Sequence, residues 1–265
     1  MTADKDGLGG ATLPGTEPPP DPSTEQDAPA ARMSFLEHLD ELRRRVFFAA
    51  LGVLVGVLAC WAFADQLLQI LLDPIQQAFD TLAVIRPAEA FMNKVKAAFV
   101  GGLFVSLPWV FYQAWAFIAP GLYRRERRWV VPVMLAGTML FSAGAVFCYI
   151  VALPAAVGFL ASQGQQFESH ITVDYAFGFA TKLLLGLGAV FEMPLVVFAL
   201  ARLDLVTARF LLRKIDVAIF LCFLAAAILT PTPDMITMTI FAVPMLVLYL
   251  ISIVVAWLAR PRTGG

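Results

Sequence analysis

The chain has 265 residues, 60% of them hydrophobic and 15% charged, against about 25% charged in soluble domains. That balance excludes a soluble globular protein and marks an integral protein whose solvent is the lipid bilayer. The formal net charge of -1 hides a strong segregation of sign, and the three cysteines, Cys60, Cys148 and Cys222, lie in apolar runs, where they read as small buried hydrophobes rather than a disulfide framework.

Residues 1–32 are rich in Gly, Pro, Thr and acids (Asp4, Asp6, Glu17, Asp21, Glu25, Asp27) and hold almost no large apolar side chain. Such a segment cannot bury enough surface to offset its ordering entropy, so a disordered acidic tail is expected. It lacks the basic and apolar regions of a signal peptide. The next stretch, SFLEHLDELRRR (34–45), reads as an amphipathic helix. Ser34 and Glu37 fit a capping box, and Phe35, Leu36, Leu39 and Leu42 form an apolar stripe. Asp40 and Glu41 lie off that stripe. Glu41 can pair with Arg44 or Arg45 at helical spacing, or it can receive a cationic ligand.

Apolar runs then predict six membrane-spanning helices. They are Val46–Phe63, Ala97–Ile118 with Pro108 inside, and Trp129–Leu153 with Pro132 near its start and Pro154 just beyond its end. Tyr175–Ala201, Val217–Leu229 and Met235–Ala259 follow. The fifth is short, roughly 20 Å at about 1.5 Å per residue, against a hydrocarbon core of about 30 Å. Asp65 to Lys96, with Pro74 and Pro87, is expected to fold as an extracytoplasmic cap. In YRRERR, Tyr123 to Arg128, Glu126 sits among four arginines. Either it tempers the repulsion of a topology-locking cluster, or it receives a cationic ligand.

The fourth span alone carries ionisable residues, Lys182 and Glu192. A charge at mid-membrane costs about 2.5–3.5 kcal/mol on insertion scales, so Glu192 must carry a proton, face a polar cavity or meet a partner. Lys182 lies roughly 15 Å away along the axis, too far to pair with it directly, and can snorkel toward the outer interface. Asp234, behind two prolines and ahead of an apolar run, is expected to cap the sixth span.

Basic residues set the orientation. Arg43 to Arg45 precede the first span, Arg124, Arg125, Arg127 and Arg128 separate the second from the third, and Arg202, Arg209, Arg213 and Lys214 separate the fourth from the fifth. Arg260 and Arg262 follow the sixth. The alternate connections hold only Arg86, Lys94 and Lys96, so both termini are expected in the cytoplasm. Enzyme chemistry finds little support. The two histidines, His38 and His170, fall on opposite sides of this topology, and no HExxH motif, phosphate-cradling glycine loop or Cys–His metal spacing occurs. A secondary transporter using Glu192 as a proton site is a rival, but no internal repeat supports it. An intramembrane hydrolase would need a base that the spans do not offer beyond Glu192.

FLEHLDELRRR, YQAWAFIAPGLYRRERR (Tyr112 to Arg128), FEMP (Phe191 to Pro194) and LTPTPD (Leu229 to Asp234) occur in this order on a six-span plan. Together they resemble TatC, the multispanning core of the twin-arginine protein translocase, from about Met33 to Leu258. The resemblance implies an all-α bundle of six transmembrane helices with a concave face, a short fifth helix and both ends inside, spanning 33–259 before a short cytoplasmic terminus, 260–265. It implies a receptor in a prokaryotic cytoplasmic membrane for folded proteins that carry paired-arginine signals. Such a receptor is oligomeric and driven by the proton motive force, works with single-span partners of TatA and TatB type, and needs neither cofactor, metal nor nucleic acid. Residue by residue, it implies a signal-peptide site of Glu126, Glu41, Arg43 and Phe117 and a partner-helix contact at Glu192, with Pro74 and Asp234 as further motif positions. The acidic tail, the extra residue in TPTPD and the short C-terminus depart from many relatives.

Overall fold

The computed structural model describes residues 35–79, 81–118, 130–164, 171–230 and 234–259. The acidic tail, Glu126 with its arginines, and residues 260–265 lie outside them. The described residues form α1 (Phe35–Cys60), α2 (Ala64–Gln76), α3 (Pro87–Ile118), α4 (Val130–Phe147) and α5 (Leu153–Gln163). They continue through α6 (Val173–Phe191), α7 (Met193–Arg202), α8 (Ala208–Arg213), α9 (Ile215–Leu229) and α10 (Met235–Leu258). A two-residue parallel pair, β1 (Leu82–Ala83) with β2 (Ile171–Thr172), joins the α2–α3 and α5–α6 connections. Among the described residues, five helical stretches are long and apolar enough to cross a membrane: Glu37–Gln76, Pro87–Ile118, Val130–Gln163, Val173–Arg202 and Met235–Leu258. Ile215–Leu229 is apolar but shorter, so the short fifth helix is observed.

Several boundaries differ from the expected ones, each for a physical reason. The amphipathic segment and the first span are one helix, α1, because a charge run marks where lipid ends and not where backbone hydrogen bonding ends. For the same reason α3 begins at Pro87 rather than Ala97. The third span does not stop at Leu153. A π-helical turn, Cys148–Ala152, precedes Pro154, and the proline then falls in the first turn of α5, where its missing N–H costs least. The fourth span is two helices, since Pro194 restarts the ladder as α7 just after Glu192 closes α6.

The main core unites α2, α3, α4, α5, α6, α9 and α10 around Phe177, Leu183, Leu187, Phe241 and Met245. A second core packs α7 and α8 against the end of α10. Helix α1 stands apart from both. Val46, Phe47, Leu51, Leu54, Val55 and Leu58 on α1 are exposed, as suits a lipid-facing surface, and the helix is held chiefly against α3. Gly56 and Gly102 make that seam: a Cβ on Gly102 would lie 2.4 Å from the Val57 backbone nitrogen, and one on Gly56 would lie 2.5 Å from the Gly102 carbonyl oxygen. The Trp109 indole donates to the Phe48 carbonyl beside this crossing, at 2.9 Å.

Candidate functional site

The crossing of α1 and α3 sets what lies at their arginine-rich ends. Arg45 donates through Nε to Glu41 Oε1 at 2.6 Å and through Nη1 to Gln113 Oε1 at 3.1 Å. Gln113 is buried on α3, so Arg45 ties the Glu41 carboxylate to that helix. One turn further along, the His38 ring stacks on Phe117 with centroids 4.4 Å apart. Gln113 and Phe117 are four residues apart on one face of α3, and their partners Arg45 and His38 are seven apart on one face of α1, so one side of each helix carries both contacts. Arg44 caps the Phe48 ring from 5.8 Å. Arg43 is exposed and makes no ion pair among the described residues.

Of the expected signal-peptide residues, the structure brings Glu41 and Phe117 to the C-terminal end of α3, with Arg43 nearby on α1. Glu126 lies outside the described residues, on the connection that leaves this end of α3 after Ile118. Of the two pairings expected for Glu41, Arg45 is the one formed. His38 and Gln113 are additions. Gln113 stands in an apolar stretch, YQAWAF, and a buried amide needs a partner, which is the signal that could have singled it out.

Glu192 is separate from this cluster. It is only 8% exposed, between α6 and α7 and against the Phe141 backbone of α4, and neither carboxylate oxygen makes a well-formed hydrogen bond among the described residues. Its burial follows from FEMP: Pro194 breaks the ladder, and the turn drives the preceding side chain into the bundle.

The two remaining motif positions lie at the opposite face and act on structure. Asp234 Oδ2 accepts from the Thr237 amide at 2.7 Å and so caps α10, as expected. Pro74 lies inside α2 and cannot donate to the Ile70 carbonyl four residues back. The Tyr149 hydroxyl donates to that oxygen instead, at 2.9 Å. Pro74 thereby turns a helical carbonyl into a docking point for the π-helical turn.

These arrangements can hold a guanidinium at a wet rim and a hydrogen-bond donor inside the bilayer. The family model for the Sec-independent protein translocase protein TatC matches residues 37–244. The chain belongs to the TatC family. The TatC protein of Koribacter versatilis (strain Ellin345) is 43% identical over 236 residues, 87% of each chain. The chloroplastic TATC protein of Pisum sativum is 34% identical over 240 residues, covering 90% of this chain and 67% of its own. A crystal structure of the twin-arginine translocase receptor TatC matches with a TM-score of 0.71 at 32% identity, over 84% of this chain and 99% of that one. A second such structure, in DDM, gives 0.73 at the same identity. TatC membership makes the chain a component of a protein translocase and a multi-pass protein of the inner membrane.

Proposed function

We propose that the chain is the receptor of its translocase. In this reading it binds the paired arginines of a signal peptide at the rim where α1 meets α3 and gathers single-span partners of TatA and TatB type around Glu192. The observation that supports it is the Arg45 bridge from Glu41 to Gln113, which fixes a carboxylate near the end of α3 that precedes Glu126 in the chain. Two arginine–carboxylate contacts contribute about 1.5–3 kcal/mol each, short of the roughly 8 kcal/mol of a micromolar complex. The apolar region of the signal, about 7–15 residues long, supplies the remainder by lying against the bundle. Arginine is preferred over lysine because a planar guanidinium engages a carboxylate through two parallel bonds.

Glu192 has a different part. The Glu192 carboxyl, buried at the bend between α6 and α7, is an acceptor for a polar side chain on a partner helix that packs into that bend, and such bonds inside a bilayer contribute about 1 kcal/mol. A photoreactive twin-arginine peptide should crosslink to wild-type protein in membranes near Glu41, and Glu192→Ala should leave that crosslink in place while weakening partner crosslinks inside the bilayer several-fold. Loss of the peptide crosslink with partner contacts intact would reverse the two assignments. Orientation is checked separately. Single cysteines at Gln163 and Asp80 should label from outside the cell and those at Gly121 and Thr207 should not; outside labelling at either of the last two would place the rim on the wrong side.

A further inference from the structure

Lys182 is the one basic residue in α6, roughly 14 Å from the start of that helix. It is exposed and has no ion pair or hydrogen bond among the described residues. A lysine at this depth is costly unless its ammonium reaches a counter-charge. The nearest basic neighbour at the rim does not compete for one, because Lys96 Nζ is bonded to Asp174. A cavity of about 400 Å³ opens here, lined by Lys96, Asp174, Tyr175, Lys182, Ile228 and Leu229. One wall is charged, and the other is the apolar end of α9.

That wall matters because α9 has only 15 residues, roughly 22 Å of helix against about 30 Å of hydrocarbon. Beside a short helix the bilayer thins and its headgroups sink. The headgroup level therefore descends toward Lys182 at a flank where a cavity can admit it. With Lys96 and Asp174 cancelling, the cavity carries a single net positive charge and up to three ammonium donors.

The geometry points to a binding site for the phosphodiester headgroup of an anionic phospholipid, held by Lys182 with an acyl chain against Ile228 and Leu229, at the face opposite the arginine-rich ends. The phosphate accepts the ammonium hydrogen bonds, and the apolar wall distinguishes a lipid from a free phosphate ion. One lysine at a membrane surface gives about a fivefold preference for an anionic over a zwitterionic headgroup.

The test is native mass spectrometry of the full chain in detergent with equal phosphatidylglycerol and phosphatidylcholine of identical acyl chains. In wild type and Lys182→Arg the lipid retained at this site should be phosphatidylglycerol over phosphatidylcholine by about five to one, whereas Lys182→Gln should hold the two about equally. Arginine-rich ends bind anionic lipid equally in all three proteins, so the difference isolates Lys182. Thermal midpoints read in parallel show that Lys182→Gln, which removes a charge from the bilayer, remains folded. Millimolar inorganic phosphate should leave the retained lipid in place. An equal preference for phosphatidylglycerol in wild type and Lys182→Gln would overturn the site, and displacement of the lipid by inorganic phosphate would overturn its assignment to a lipid.

Discussion

Glu126→Arg is expected to abolish binding of a twin-arginine peptide, lowering affinity by about a hundredfold or more, since 1.4 kcal/mol is tenfold. The substitution removes one charge-assisted contact and sets a fifth arginine where the peptide's own arginines must lie. Glu41→Arg should cost less, about tenfold, because Glu41 is already engaged. Its carboxylate holds Arg45 at 2.6 Å with 19% of the side chain exposed, and pairs at such a wet rim are individually weak and exchangeable. Glu126→Gln should be milder than Glu126→Arg, as it subtracts a charge without adding repulsion. The measurement is peptide affinity in nanodiscs for an Arg–Arg peptide and its Lys–Lys counterpart across the three variants. Undiminished discrimination between the two peptides in Glu126→Arg would return Glu126 to balancing the charge of its neighbours.

The second large effect lies far from any charge. Gly102→Val should detach α1 from α3. A Cβ there meets the Val57 nitrogen at 2.4 Å and the Val57 Cα at 2.6 Å, and these are backbone atoms that no rotamer change can move. Overpacking of this kind typically costs about 1–3 kcal/mol. The cost also propagates, because the Trp109–Phe48 bond, the Arg45–Gln113 bond and the His38–Phe117 stack all depend on the same approach. The variant should therefore lose peptide affinity as well as thermal midpoint, although Gly102 is remote from the rim. Gly158→Val is the control, since a Cβ at Gly158 meets nothing within 4 Å. Equal midpoints and equal peptide affinities for the two variants would show that the glycine crossing does not position Glu41.

What was legible in the sequence follows from which forces leave a local trace. Lipid demands apolar runs, so the apolar helices could be located from hydropathy alone, including the short α9. Helix continuity leaves no such trace: Arg43 to Arg45 interrupt the apolar run and leave the helix intact. Proline is ambiguous for a related reason. Pro108 and Pro244 sit inside α3 and α10, whereas Pro194 restarts a helix, and the difference depends on whether neighbouring elements hold the backbone in register. At the rim, the Glu41–Arg45 pair could be anticipated because its spacing is helical. Gln113 could be noticed as an amide in an apolar stretch, but its partner could not, and neither could that of His38, because both partners lie on a different helix more than sixty residues away in the chain. The seam between Gly56 and Gly102 is likewise invisible until two helices are crossed.

The small parallel pair between Leu82–Ala83 and Ile171–Thr172 bears on the order in which the molecule can be completed. Contacts between distant segments form late, because the intervening chain must first be placed. Here that intervening chain is α3, α4 and α5, two crossings of the bilayer. During synthesis α2 and β1 emerge early but have no second strand until α5 has returned to their side. Until then the β1 edge and the face of α2 that shares the main core with α5 remain uncovered. The strand pair is therefore a closing stitch, and the interval before it forms is when a nascent chain offers this surface to proteases or to membrane-insertion factors.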